Sequence, residues 1–64
     1  MTIFSGKIAL TNGCRFCWYN EEGKEINGWV EREDGQIIKG TYGWYRTEDP
    51  QKAAKIAQYN LTNG

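Results

Sequence analysis

Three glycine turns divide the first two thirds of this chain into segments of strand length. Asn12-Gly13 and Asp34-Gly35 are dipeptides of the kind that closes two-residue type I′ hairpins, where both central residues need positive φ. Glu21-Glu22-Gly23-Lys24 reads as a longer loop with Gly23 in the left-handed position. Three turns join four consecutive antiparallel strands, placed at about 2–10, 14–20, 25–33 and 36–42. Gly43 then acts as a bulge or bend, and Trp44-Tyr45-Arg46 continues extended as a short segment at 44–46.

At Thr47 the periodicity changes. Thr47 or Asp49 can cap a helix, and Pro50 suits its first turn. Glu48 and Asp49 favour the positive end of the helix dipole. Ala53, Ile56, Ala57 and Leu61 recur at helical spacing as a narrow apolar stripe, and Asn60 or Asn63-Gly64 can end the helix. The spacing predicts a helix over about 49–60. The fold class is therefore α+β: a four- to five-stranded antiparallel meander with one C-terminal helix packed on one face. All 64 residues, 1–64, form a single domain.

Two-residue loops set an expected register. The loop at Asn12-Gly13 pairs Leu10 with Arg15, Ile8 with Cys17 and Gly6 with Tyr19, with Phe4 on the same side. The opposite side then carries Ala9 with Phe16, Lys7 with Trp18, and Thr11 with Cys14. In the second hairpin, Trp29, Ile38, Tyr42 and Glu31 share one side, and Ile26, Val30, Ile37, Lys39 and Thr41 the other. Both faces carry large apolar groups, and one helix can cover only one of them. A slip of one residue would exchange the faces.

The chain is aromatic-rich, with three Trp, four Tyr and two Phe among its 64 residues. A domain of this size buries only about 60% of its unfolded surface, so the uncovered face should present aromatics to a partner. Interfaces are enriched in Trp, Tyr and Arg. The candidate partner-binding residues are Phe16, Trp18, Trp29, Tyr42, Trp44 and Tyr45, with Arg15 and Arg46 beside them.

Other chemistry is thinly represented. The chain has no His, which is the commonest general base and metal ligand. Its carboxylates cluster at Glu21/Glu22/Glu25, Glu31/Glu33/Asp34 and Glu48/Asp49, at or near turns and the helix start, where solvated acids are expected. No enzyme, cofactor or metal is expected. Cys14 and Cys17 form a C-x-x-C, but a four-ligand zinc site needs further Cys or His. Three apart in a strand, the two thiols point to opposite faces and cannot bridge. Eight basic residues balance eight acidic ones, which disfavours an affinity built mainly on phosphate neutralisation. No apolar run approaches the roughly 20 residues of a membrane span, and no secretory signal pattern opens the chain. The expected location is cytoplasmic.

Part of the chain resembles the three-strand-plus-helix DNA-binding domains of the AP2 and integrase N-terminal type. The residues that carry the likeness are Trp29-Val30, Gly35, Gly40-Thr41-Tyr42, Thr47-Glu48 and Ala53-Ala54-x-x-Ala57. The resemblance covers about half the chain and implies a sheet that reads DNA through Arg and Trp side chains. Lys7, Arg15, Lys39 and Arg46 would then hold phosphates while aromatics stack on bases. The chain departs from the pattern at Glu31, Glu33 and Asp34, which replace basic residues, and in the extra Gly43-Trp44-Tyr45-Arg46. Size, balanced charge and surplus aromatics also look like the small accessory proteins of phages and mobile elements, anti-CRISPR and other anti-defence inhibitors among them. The leading expectation is a non-enzymatic binder that occludes a protein or ribonucleoprotein target. A nucleic-acid-binding domain and a homodimer that buries its own open face are the alternatives.

Overall fold

A computed structural model describes residues 2–63. Its elements run β1 (Ile3–Ala9), a 3-10 turn (Thr11–Gly13), β2 (Arg15–Glu21), β3 (Asn27–Glu31), β4 (Gly43–Trp44) and α1 (Pro50–Asn63). The four strands form one antiparallel sheet in the order β1-β2-β3-β4. The helix packs against one face, so the α+β layout holds with four strands.

Both tight hairpins pair one residue away from the expected register, although at Asn12-Gly13 both φ values are positive as expected, +59° and +77°, and Cys14 N–H donates to the Thr11 carbonyl at 3.2 Å. Leu10 N–H donates to the Cys14 carbonyl at 2.8 Å, and Arg32 N–H to the Gln36 carbonyl at 2.7 Å. Each loop thus holds three residues, not two. The glycine takes the last loop position in each case, with φ +77° at Gly13 and +92° at Gly35. At the second loop, where Gly35 N–H donates to the Arg32 carbonyl at 2.9 Å, this is the three-residue loop closed by a left-handed glycine, the next commonest hairpin solution. The shift re-pairs β1 with β2 as Ile8 with Phe16, Lys7 with Cys17 and Gly6 with Trp18. It also sets Ile37, not Ile38, opposite Glu31. Ile38 consequently moves to the helix side and packs against the core. The longer loop behaves as read from sequence: Gly23 has φ +80°, and Lys24 N–H donates to the Glu21 carbonyl at 2.9 Å.

The expected strand over 36–42 does not form. Glu31 bridges Ile37, yet Gly28 pairs with Gly43, so the returning segment carries three residues more than β3 over the same stretch. The extra length folds into a turn with Gly40 at φ +87°. Thr41 holds it: its Oγ1 accepts from Val30 N–H at 3.0 Å and donates to the Ile38 carbonyl at 2.7 Å. A side-chain hydroxyl thereby satisfies a β3 donor that a regular strand would have paired. The expected 44–46 segment contributes only Trp44 to β4. Beyond it, Tyr45 N–H still reaches the Ile26 carbonyl at 2.9 Å.

Asp49 is the helix cap. Its Oδ1 accepts from Gln51 N–H at 3.0 Å, and Thr47 Oγ1 accepts from Asp49 N–H at 3.1 Å. The helix continues past Asn60 to Asn63; the terminator role of Gly64 falls outside the described residues. Its buried stripe is Ala53, Ala54 and Ala57, with Leu61 packed alongside, while Ile56 is exposed. The stripe is rotated from the expected one because the Ala54 flank is held against the first hairpin. There Gln58 Oε1 accepts from both the backbone N–H and the hydroxyl of Thr11, at 3.0 and 3.2 Å. Alanine lets the helix lie close to the sheet, over Phe16, Ile26, Val30 and Tyr45.

Candidate functional site

The helix-free face is built by the strand alternation itself. Lys7, Cys17 and Trp29 stand in one row across β1, β2 and β3; Arg15 and Glu31 lie in the row on one side, and Tyr19 and Asn27 in the row on the other. Successive residues of a strand point to opposite faces, so Phe16, Trp18 and Val30 go beneath the helix and these go outward.

Aromatic rings dominate this outward face. Tyr42 stacks on Trp29 with ring centroids 5.7 Å apart and planes inclined by 20°. Tyr19 also meets Trp29, at 6.3 Å and 57°. The Tyr19 and Tyr42 hydroxyls are 3.0 Å apart and share a hydrogen bond. Trp44 pairs with Asn27 in the next row and is 61% exposed. With Ile3 and Tyr19 it lines a shallow dish whose rim is Lys24 and Glu25. Tyr42 and Ile3 are each 62% exposed.

Polar groups fix these rings. Trp29 Nε1–H donates to Glu31 Oε2 at 3.0 Å, and Arg15 Nη2 donates to Glu31 Oε1 at 3.2 Å. Glu31 therefore orients both the indole and the guanidinium. The indole hydrogen bond foremost, with Arg15, holds the Glu31 carboxyl below its ordinary range, against a contrary push from burial. Burial, reinforced by the neighbouring Glu31 carboxylate, pushes the Cys17 thiol up. The bond to Tyr42 raises Tyr19, and burial raises Tyr45.

These shifts predict a pH profile. Cys17, Tyr19 and Tyr45 hold their protons more tightly folded than unfolded. Their contribution is complete below the unfolded values, 9.0 for the thiol and 10.0 for the phenols, and is lost as pH rises through the folded ones. Glu31 has the opposite sign: its contribution is present above the ordinary 4.5 and is lost as pH falls through the folded value. Melting temperature should form a plateau between these limits and fall on both sides. Thermal melts followed by circular dichroism across that range check this; a melting temperature still climbing above pH 10 would contradict it.

The structure divides the sequence-predicted residues. Trp29, Tyr42 and Trp44 come together on the helix-free face, with Arg15 bound to Glu31 beside them. Phe16 and Tyr45 are corrections: both are buried, packed edge-to-face at 4.8 Å, and form core rather than surface. Trp18 is half-buried on the helix side, its indole lying over Gly6. Arg46 is exposed at the rim of Trp44 and has a left-handed φ of 56°. Tyr19, Ile3 and Glu31 also belong to the site, beyond the residues expected from the sequence. The alternation Arg15, Cys17, Tyr19 within one strand was the available signal for Tyr19.

Cys14 and Cys17 are free thiols. Cys14 packs against the helix-side core, whereas Cys17 sits between Lys7 and Trp29 on the other face. Among the described residues no cluster of three or more His, Cys, Asp or Glu could hold a metal ion, and no helix is long and apolar enough to cross a membrane. Comparison with protein-family models, with curated proteins and with solved structures finds no match.

Proposed function

We propose that this chain is a non-enzymatic binding protein that grips a protein partner with the helix-free face of its sheet. One observation carries the reading: Tyr42, Trp29 and Tyr19 form a cluster of rings, with the exposed Trp44 lining one depression with Tyr19, on the face left uncovered by the only α-helix among the described residues. Exposed apolar patches on small domains mark interaction sites, and large, rigid rings held by their neighbours lose little conformational freedom on binding. Charge favours a protein over a nucleic acid. Arg15 is already paired with Glu31, and the rim mixes Lys24 and Arg46 with Glu25. The small size and the absence of His fit an occluding inhibitor of the anti-defence kind, acting on a protein or ribonucleoprotein. Free Cys14 and Cys17 suit a reducing compartment such as the cytoplasm.

Affinity capture from lysate, with and without nuclease, tests the reading. Trp44→Ala and Tyr42→Ala remove exposed rings, so folding should be nearly unchanged. Each should weaken capture by roughly thirtyfold, the effect of a hot-spot residue worth about 2 kcal/mol. Trp18→Ala serves as the contrast, since it acts on the opposite face and should lower the melting temperature instead. Capture that survives both exposed-ring substitutions defeats the proposal. Capture that vanishes with nuclease, or falls steeply with salt, transfers the face to a nucleic-acid ligand.

A further inference from the structure

The edge strand β1 carries backbone groups of fixed parity. Leu10 N–H donates across to Cys14 at one end of the ladder, and Glu22 N–H donates to the Thr2 carbonyl at 3.0 Å at the other. In an antiparallel pair, residues that exchange hydrogen bonds alternate with residues that do not. In this register, Phe4, Gly6 and Ile8 turn their N–H and C=O groups toward β2. Ile3, Ser5, Lys7 and Ala9 turn theirs outward, on the side where, among the described residues, the sheet has no further strand.

Proteins blunt such edges with proline, bulges, charges or short strands. The opposite edge is blunted, since β4 has two residues. β1 has seven residues, no proline and a single charge, Lys7.

We propose that β1 pairs antiparallel with β1 of a second copy about a two-fold axis at Gly6, giving one continuous sheet. The outward parity selects this register. Hydrogen-bonded pairs must join Ile3, Ser5, Lys7 and Ala9 among themselves. An axis at Gly6 sets Ile3 against Ala9 and Ser5 against Lys7 of the other copy, and uses all the outward groups. An axis at Lys7 would oppose two like charges, which is destabilising, and an axis at Ser5 leaves Ala9 without a partner. With the axis at Gly6, Phe4, 48% exposed in the single chain, lies opposite Ile8 of the second copy on the helix side. Directly opposed residues share a face, so both aromatic clusters end on one side of the joined sheet and both helices on the other. The occupant is a second copy because the same residues, read in reverse, satisfy both sides.

Sedimentation velocity of the full chain from micromolar to millimolar concentration tests this. The mass should rise from 7.4 kDa toward twice that value. Ser5→Pro removes one outward N–H and none directed at β2, a substitution edge strands accept, and should hold the protein at 7.4 kDa. Ser5→Lys faces Lys7 of the second copy at two symmetric positions and should weaken association roughly tenfold at low salt, with recovery as salt rises. In hydrogen exchange, the amides of Ile3, Ser5, Lys7 and Ala9 should gain protection as concentration increases, while those of Phe4, Gly6 and Ile8 stay protected throughout. A wild type that remains monomeric at millimolar concentration overturns the proposal. So does a dimer that survives both substitutions, or outward amides whose exchange ignores concentration. If Ser5→Pro does not fold, Ser5→Lys and the exchange pattern decide.

Discussion

Phe16→Ala should leave the chain unfolded at room temperature. The ring is wholly inaccessible to solvent and central to the core. It meets Tyr45 edge-on at 4.8 Å, and it lies against Gly28 from the neighbouring strand. Truncating a buried phenylalanine costs about 3–5 kcal/mol, through lost transfer energy and the cavity left behind. A single core of this size rarely supplies more than about 3–5 kcal/mol in total. The loss therefore matches the whole reserve. Far-UV circular dichroism and the dispersion of amide resonances measure the result. A cooperative melt at the wild-type temperature would show that the core does not depend on this ring.

Gly28→Ala should be nearly as damaging, although it adds a single methyl. A Cβ at this position would lie 2.6 Å from Phe16 Cζ and 2.7 Å from the Cys17 carbonyl oxygen. The first contact can relax if the ring moves; the second is backbone inside the ladder and cannot. Overpacking of a well-filled core costs about 1–3 kcal/mol and occasionally more. Urea unfolding should show a lowered midpoint. Combined with Phe16→Leu, the cost should be less than the sum of the two single costs, because both changes act on the same contact. Strict additivity would mean that the glycine serves some other purpose.

The turns, strand order and helix were legible because each rests on local chemistry: Gly13, Gly23 and Gly35 at left-handed positions, and Asp49-Pro50 at the helix start. The register was not legible to the residue. Asn12-Gly13 and Asp34-Gly35 are compatible with loops of either two or three residues, and only hydrogen bonds beyond the turn decide between them. That single residue governs which β1 side chains join Phe16. With Ile8 opposite Phe16, the helix side gathers its aliphatic residues, and Lys7 joins Cys17 outside. Tyr45 departs from expectation for a different reason. Its burial depends on the extra residues between Ile37 and Gly43 and on a backbone bond to Ile26, a long-range outcome that no local pattern encodes. The candidate face was half visible: Trp29, Tyr42 and Glu31 share a side in the sequence pattern, while Tyr19 joins them only through the β2–β3 pairing set by the loop between those strands.

The strict alternation along β2 separates two tasks at neighbouring positions. Phe16 and Trp18 belong to folding, whereas Arg15 and Tyr19 face outward on the same strand. Together with the Ile38–Tyr42 turn, which hangs on the Thr41 hydroxyl rather than on a ladder, this makes the domain a scaffold for directed diversification. A library randomised at Arg15, Tyr19, Tyr42 and Trp44 would sample new recognition surfaces while every member kept the same packed interior.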